Sequence, residues 1–255
     1  MADKPTPVGT PPKLMRIAGL PAVTALFAGS PERVERLYVD DRMKQAAGKF
    51  CSEMARMRKP YRLLPVDELA KVAGSAMHGG IVALAHPIEL ADFDPREATD
   101  WAADGKPLLL LDGIGNPQNL GAIARTAAFF GLPRMVLSDA EAQAKPSDAA
   151  YRIAEGGLDR LKLYRATQLP EALKELRRSY QVVGTALGKG KPIETLKQGE
   201  RPFAIVFGNE EAGLDEATLK ACETMVTIPG MGDIQSLNVS ASAAIFIHAL
   251  LRQQG

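Results

Sequence analysis

The chain has 255 residues, 46% apolar and 24% charged, the proportions of a globular protein with one large domain or two modest ones. These figures exclude a collagen-like chain, a disordered tail protein and a disulfide-stapled miniprotein. Lys and Arg number 31 against 30 Asp and Glu, a formal net charge of +1 that, as a total, argues against a polyanionic partner.

The total hides an asymmetry. Residues 1–86 carry 13 Lys/Arg against 8 Asp/Glu, and residues 87–255 carry 18 against 22. The basic excess is densest at Arg42, Lys44, Lys49, Arg56, Arg58, Lys59 and Arg62, with Glu53 the one acid among them. Such a cluster neutralises phosphates, although a solvated helix face has the same look.

Residues 1–13 hold four prolines and no apolar stretch, so a flexible tail is expected there and no signal peptide. From Leu14 to about Pro87 the pattern is α/β. A helix is expected at Ala22–Ala28, a strand at Arg36–Val39, a helix at Met43–Met57 and a strand at Tyr61–Leu64. A helix at Asp67–Val72 and a strand at Ile81–Ala85 follow, with a tight turn at His78-Gly79-Gly80. Between His86 and Lys106, six acids face two bases and prolines stand at 87 and 95. This stretch is expected to be an acidic linker (87–106), with one short helix around Pro95–Ala103.

The second segment, 107–255, alternates strands and helices. Strands are expected at Leu108–Leu111, Arg134–Leu137, Lys162–Arg165, Gln181–Ala186, Phe203–Phe207 and Met225–Ile228. Helices are expected at Asn119–Phe130, Leu169–Ser179 and Ser240–Arg252. The alternation implies an α/β fold with a largely parallel sheet covered on both faces, whose ligand crevice lies at the carboxyl ends of the strands. The apolar runs are too short to span a bilayer, and two cysteines, Cys51 and Cys222, far apart in a mid-sized chain look like free thiols rather than a disulfide framework. A soluble cytoplasmic protein with free thiols is expected.

Several chemistries lack their motifs. Gly188-Lys189-Gly190-Lys191 does not have P-loop spacing, and Gly113-x-Gly115 and Gly230-x-Gly232 lack the third glycine of a dinucleotide fingerprint. No nucleophile elbow is present. His78, His86 and His248 have no zinc spacing, so no metal site is expected, and His248 on its apolar helix is expected to be a packing residue.

Three stretches remain. The first is Asn119-Leu120-Gly121-Ala122-Ile123-Ala124-Arg125-Thr126-Ala127, opened by the turn Asp112–Gln118. The second is Phe207-Gly208-Asn209-Glu210-Glu211-Ala212-Gly213-Leu214. The third is Ile228-Pro229-Gly230-Met231-Gly232-Asp233-Ile234-Gln235-Ser236-Leu237-Asn238-Val239-Ser240. Alone, each is also what a turn and a capped helix start would show. Together and in this order they closely resemble the SpoU/TrmH family of RNA ribose 2′-O-methyltransferases. The resemblance covers about 107–255, and residues 14–86 resemble the family's N-terminal substrate-binding domain. Gly230 departs from the family pattern, which usually has Met directly after Ile-Pro.

The resemblance implies a trefoil-knotted sheet, a homodimer and transfer of a methyl group from S-adenosylmethionine to a ribose 2′-hydroxyl, with no metal. Structured RNA is the implied partner, ribosomal RNA preferred over transfer RNA. A transfer-RNA enzyme and a non-catalytic RNA-binding or ribosome-assembly protein of the same fold are the alternatives. The implied donor site comprises Gly208, Ile228, Leu237, Thr185, Leu187 and Gly232. The implied catalytic set is Arg125 with Asn119, Glu210, Ser236 and Asn238. Family proposals cast the arginine as the base; a guanidinium is a poor proton acceptor and is equally suited to gripping a phosphate and stabilising an alkoxide. Residues 1–86 are then the RNA-docking module, whose removal should weaken RNA binding and spare donor binding.

Overall fold

The computed structural model describes residues 13–186, 190–197 and 199–252. The expected proline-rich tail therefore lies outside the described residues, apart from Lys13.

Residues 13–86 build a four-stranded sheet from β1 (Met15–Ala18), β2 (Val34–Val39), β3 (Tyr61–Leu63) and β4 (Ile81–Ala85), in the order β1-β4-β2-β3. Helices α1 (Leu20–Gly29), α2 (Gly48–Arg56) and α3 (Val66–Ala73) connect them. The expected helix from Met43 begins only at Gly48. Asp40 diverts the chain first: its buried carboxylate accepts from the Met43 amide at 3.2 Å and the Arg42 guanidinium at 2.9 Å, closing a 3₁₀ turn over 41–43. The His78–Gly80 turn is present, with φ of 57° at Gly79 and 80° at Gly80. A Cβ on Gly80 would lie 2.4 Å from the Met43 side chain and 2.8 Å from Asp40, so only glycine fits.

The second sheet has eight strands: β5 (Ala91–Asp92), β6 (Leu108–Asp112), β7 (Arg134–Ser138), β8 (Lys162–Ala166), β9 (Gln181–Thr185), β10 (Lys191–Pro192), β11 (Phe203–Gly208) and β12 (Thr224–Thr227). Their order is β10-β12-β9-β11-β6-β7-β8-β5, with every pairing parallel. The helices are α4 (Ala98–Ala102), α5 (Pro117–Phe129), α6 (Asp148–Ala154), α7 (Leu169–Leu176), α8 (Glu216–Ala221) and α9 (Val239–Leu251). Strands β6 and β11 sit mid-sheet, and their apolar runs are buried on both faces. Leu109, Leu111, Phe203, Ile205 and Phe207 join one core with α5 and α9, while Leu108, Leu110, Ala204 and Val206 join another with Tyr164 and α7. Each fully buried side chain of this size contributes about 1.5–3 kcal/mol.

The acidic stretch is folded onto this sheet. Strand β5 pairs with β8 at its edge, and Trp101 of α4 lies 4.7 Å from the Tyr164 ring, beneath the Arg134 guanidinium at 4.8 Å. The small sheet is docked as well. Arg33 reaches Asp159 at 2.6 Å, the Tyr151 hydroxyl at 2.8 Å and the His86 carbonyl at 3.0 Å. Asp159 is buried, and its second oxygen has no partner among the described residues. One continuous apolar cluster runs from Ile17 and Leu26 to Ile123 and Phe246.

Among the described residues no helix is long and apolar enough to cross a membrane. His248 is exposed rather than packed inside, its ring 6.1 Å from that of Phe130; the apolar core of α9 is supplied by Ala243, Phe246, Ile247 and Leu250 instead.

Candidate active site

The chain runs from β6 through β7 and β8 on one side of the sheet, then returns to build β9, β11 and β12 on the other. The carboxyl ends of β6 and β11 therefore flank the point where the strand order reverses, the place where parallel sheets leave a crevice. Each end delivers one of the motif loops.

After β6, Asn116 caps α5 by accepting from the Gln118 amide at 2.8 Å, with Pro117 in the first turn. After β11, Asn209 makes an Asx turn. Its Oδ1 accepts from the amides of Glu211 and Ala212, both at 3.0 Å, and its Nδ2 donates to the Gly113 carbonyl at 2.8 Å. The backbones of Asn209 and Gly213 also pair, at 2.9 and 3.0 Å. This loop folds so tightly that a Cβ on Gly208 would stand 2.5 Å from the Gly213 carbonyl carbon. The third loop, 228–238, ends at Asn238, which caps α9 through the Ser240 amide at 2.8 Å.

A polar chain joins the three loops. Glu210 accepts from Asn119 Nδ2 at 2.7 Å and from the amides of Gly115 at 3.2 Å and Asn116 at 3.5 Å. Asn238 Nδ2 donates to Asn119 Oδ1 at 3.0 Å. Partial burial pushes the Glu210 carboxyl up, but the Asn119 amide and the backbone donors outweigh it and hold its pKa below the ordinary value. Glu210 is thus an anion at neutral pH whose oxygens are occupied in holding two loops together.

Beside this chain lies a cavity of about 750 Å³. Its walls include apolar Leu214, Leu219, Met225, Ile228, Leu237 and Phe246, with Thr185, Thr227 and Ser236 adding hydroxyls. A polar cleft of about 580 Å³, lined by Gly115, Asn116, Asn119, Asn209, Glu210, Glu211 and Asn238, adjoins it. Asn209, Glu210, Glu211 and Asn238 belong to both. The described walls carry carboxylates and no Lys, Arg or His. They suit a ligand with an aromatic ring and a positive charge, and suit a polyphosphate badly.

The structure brings Asn119, Glu210, Ser236 and Asn238 to these cavities, with Gly208, Ile228, Leu237 and Thr185. Gly232 lies on the exposed 228–238 segment and does not line them, and Leu187 lies outside the described residues. Arg125 stands apart. It extends from α5 to Glu155 at 3.0 Å and makes no bond to the polar chain. Asn209 and Glu211 line both cavities and lie outside the expected set; the signal for them is an Asn two places before a glutamate in a turn leaving a buried strand.

Of the seven basic residues singled out near the N-terminus, the structure engages three with acids. Arg42 bonds Asp40, Arg56 bonds Glu53, and Lys59 bonds Glu35. Lys44, Lys49, Arg58 and Arg62 have no ion-pair partner among the described residues; Lys49 lies over the Phe50 ring.

Fold and site together define an α/β enzyme with a largely apolar crevice and an adjoining polar cleft at the strand ends. Comparison with known proteins makes this more specific. Residues 106–248 match the SpoU rRNA Methylase family, and residues 16–91 match the RNA 2′-O ribose methyltransferase substrate binding domain. The 23S rRNA (guanosine-2′-O-)-methyltransferase RlmB of Nitrosomonas europaea is 32% identical over 93% of this chain and 91% of its own. The RlmB of Acinetobacter baylyi is 31% identical over 92% of this chain and 96% of its own. Among solved structures, the AdoMet-bound rRNA methyltransferase from Sinorhizobium meliloti superposes with a TM-score of 0.77 at 22% identity, covering 94% of this chain and 87% of that one. AviRb from Streptomyces viridochromogenes, in complex with AdoMet, gives 0.74 at 22% identity, covering 95% and 91%. The two structures share this chain's fold. The chain belongs to the SpoU family of RNA ribose 2′-O-methyltransferases.

Proposed function

We propose that this chain transfers a methyl group from S-adenosylmethionine to the ribose 2′-hydroxyl of a guanosine in large-subunit ribosomal RNA. The observation that carries this is the union of three loops by Asn119, Glu210 and Asn238 between a cation-compatible crevice and a polar cleft. The relatives' names supply the RNA and the nucleoside.

The crevice fits the donor by its chemistry. Leu237, Ile228 and Leu214 offer apolar walls for an adenine, the main chain at Gly208 and Thr227 offers hydrogen-bonding groups, and the Glu210 carboxylate compensates a positive charge. When bound, the donor supplies an electrophilic sulfonium methyl. The residues of this chain do the rest. Asn119 and Asn238 orient hydroxyls at the cleft, Ser236 lies beside them, and the fixed loops hold the reacting groups in line. Arg125 is the remaining catalytic residue. Its guanidinium leaves Glu155 for the phosphate next to the acceptor and stabilises the developing alkoxide, a role that suits a group unable to act as a ready base. The hydroxyl proton passes to water in the open cleft, and the sulfur–methyl bond breaks as the oxygen–methyl bond forms.

In this reading residues 14–86 dock RNA and 107–255, with 87–106 folded onto the edge of their sheet, perform the transfer. Lys44, Lys49, Arg58 and Arg62 make the phosphate contacts that position rather than specify. The chain acts as a homodimer with a trefoil-knotted sheet. Phe129, 83% exposed, and Ile245, 38% exposed, on the packed pair α5 and α9 support the dimer. The free thiols at Cys51 and Cys222 support a cytoplasmic setting. Incubation with methyl-labelled S-adenosylmethionine and total RNA tests the activity. Label in an alkali-resistant dinucleotide is expected, and no incorporation would favour the non-catalytic RNA-binding alternative.

A further inference from the structure

The two adjacent glutamates after β11 have opposite fates. Glu210 turns inward, and its oxygens are taken by Asn119, Gly115 and Asn116. Glu211 is exposed, yet it is not loose: its amide is pinned to Asn209 Oδ1 at 3.0 Å. Its carboxylate has no hydrogen bond or ion pair among the described residues, and it lines both cavities where they meet. A free, backbone-anchored carboxylate at the junction of donor crevice and acceptor cleft is placed to touch the incoming nucleotide.

We propose that Glu211 reads the acceptor base, accepting two parallel hydrogen bonds from N1–H and the N2 amino group of guanine. This rests on the methyl-transfer reading above. A carboxylate repels phosphate, so the group beside Glu211 is base or sugar. Of the four RNA bases, guanine alone presents two adjacent donors on its Watson–Crick edge; adenine and cytosine set one donor beside an acceptor, and uracil sets one between two acceptors. A carboxylate's two oxygens match that donor pair as they match the guanidinium fork. A base reader also completes a division of labour in which the N-terminal basic residues supply affinity without sequence preference.

The test uses the full chain and a synthetic RNA hairpin carrying the mapped acceptor, once as guanosine and once as inosine, which lacks the N2 amino group. For the wild type, kcat/KM is expected to fall about 10- to 100-fold on inosine, the loss of one hydrogen bond to a charged group. Glu211→Ala loses both bonds, so it should fall further than that on guanosine and by a smaller factor on inosine, whose N1–H still bonds the wild-type carboxylate, leaving the two acceptors nearly equal. Glu211→Gln, which keeps the size and one acceptor, should fall between. The dissociation constant for S-adenosylmethionine should be unchanged in both variants. A wild type that methylates guanosine and inosine equally overturns the proposal. So does a Glu211→Ala enzyme that retains the wild-type preference, or one that loses donor affinity or loses turnover equally on both acceptors, as contact with sugar hydroxyls would give. If the wild type methylates no RNA, or a nucleoside other than guanosine, the methyl-transfer reading falls and takes this one with it. A preserved preference in Glu211→Ala sinks the base-reading role alone.

Discussion

Asn119→Ala separates a structural joint from an incidental contact. The side chain is buried, 7% exposed, and holds Glu210 at 2.7 Å and Asn238 at 3.0 Å. A hydrogen bond to a charged group contributes about 1.5–3 kcal/mol and a neutral one about 0.5–1.5. Glu210 remains partly open to water, which replaces some of the lost bonding, so a net loss of about 2–3 kcal/mol is expected. Urea unfolding of Asn119→Ala, Glu210→Gln and the double variant should give a coupling of about 1–2 kcal/mol. The pH dependence adds a check of sign. Glu210 has a lowered pKa in the folded protein, so its contribution is present above the unfolded value and is lost as pH falls through the folded one. Removing the Asn119 donor raises that folded value, so the stability gap between wild type and Asn119→Ala should narrow as pH drops below about 4. Additivity within about 0.5 kcal/mol, or a gap independent of pH, would refute the claim that Asn119 and Glu210 act as one joint.

Other consequences follow from the same structure. Arg33→Ala strands the buried Asp159 carboxylate and should cost about 3–5 kcal/mol by chemical denaturation, whereas Arg33→Lys should recover only part. Gly208→Ala places a methyl group against the Gly213 backbone; calorimetric titration should find donor affinity reduced at least tenfold, with about 1–3 kcal/mol of stability lost. Arg125→Lys keeps the charge without the fork, so turnover should fall strongly with donor binding retained; near-normal turnover would sink its role. Removing residues 1–86 would strip α1 and Arg33 from a shared core, so RNA docking is better tested by charge reversal. Replacing Lys44, Lys49, Arg58 and Arg62 with Glu should weaken RNA binding, flatten its salt dependence and leave S-adenosylmethionine binding intact.

The central strands were legible because β6 and β11 are continuous apolar runs, which only a sheet buried on both faces can use. The short elements were not. Helix α6 carries a weak signal of its own and exists because it packs on α5, where Gly121 lets the Ala150 carbonyl approach so closely that a Cβ would lie 2.3 Å away. Strand β5 has two residues and is defined only by its partner β8. Within the site, the three motifs pointed to Asn119, Glu210 and Asn238, and the loops do meet there. Spacing alone indicated that Arg125, six residues or about 1.7 turns after Asn119, need not share its face, and it does not join the cluster. What spacing could not reveal is the partner it chooses, because Glu155 comes from a helix end that is brought near only by tertiary packing. The opposite orientations of Glu210 and Glu211 were hidden for the same reason: they depend on the Asn209 turn and on donors from a loop 94 or 95 residues away.

The net charge of +1 resolves into a basic segment over residues 1–86 and an acidic one over 87–255, so the total does not weigh against RNA. The most direct test of the account compares 2′-O-methylation maps of all stable RNAs from cells with and without this protein. One guanosine ribose methyl should vanish from large-subunit ribosomal RNA and return with the wild-type chain but not with Arg125→Lys. An unchanged ribosomal map, or a methyl lost from transfer RNA instead, would contradict it.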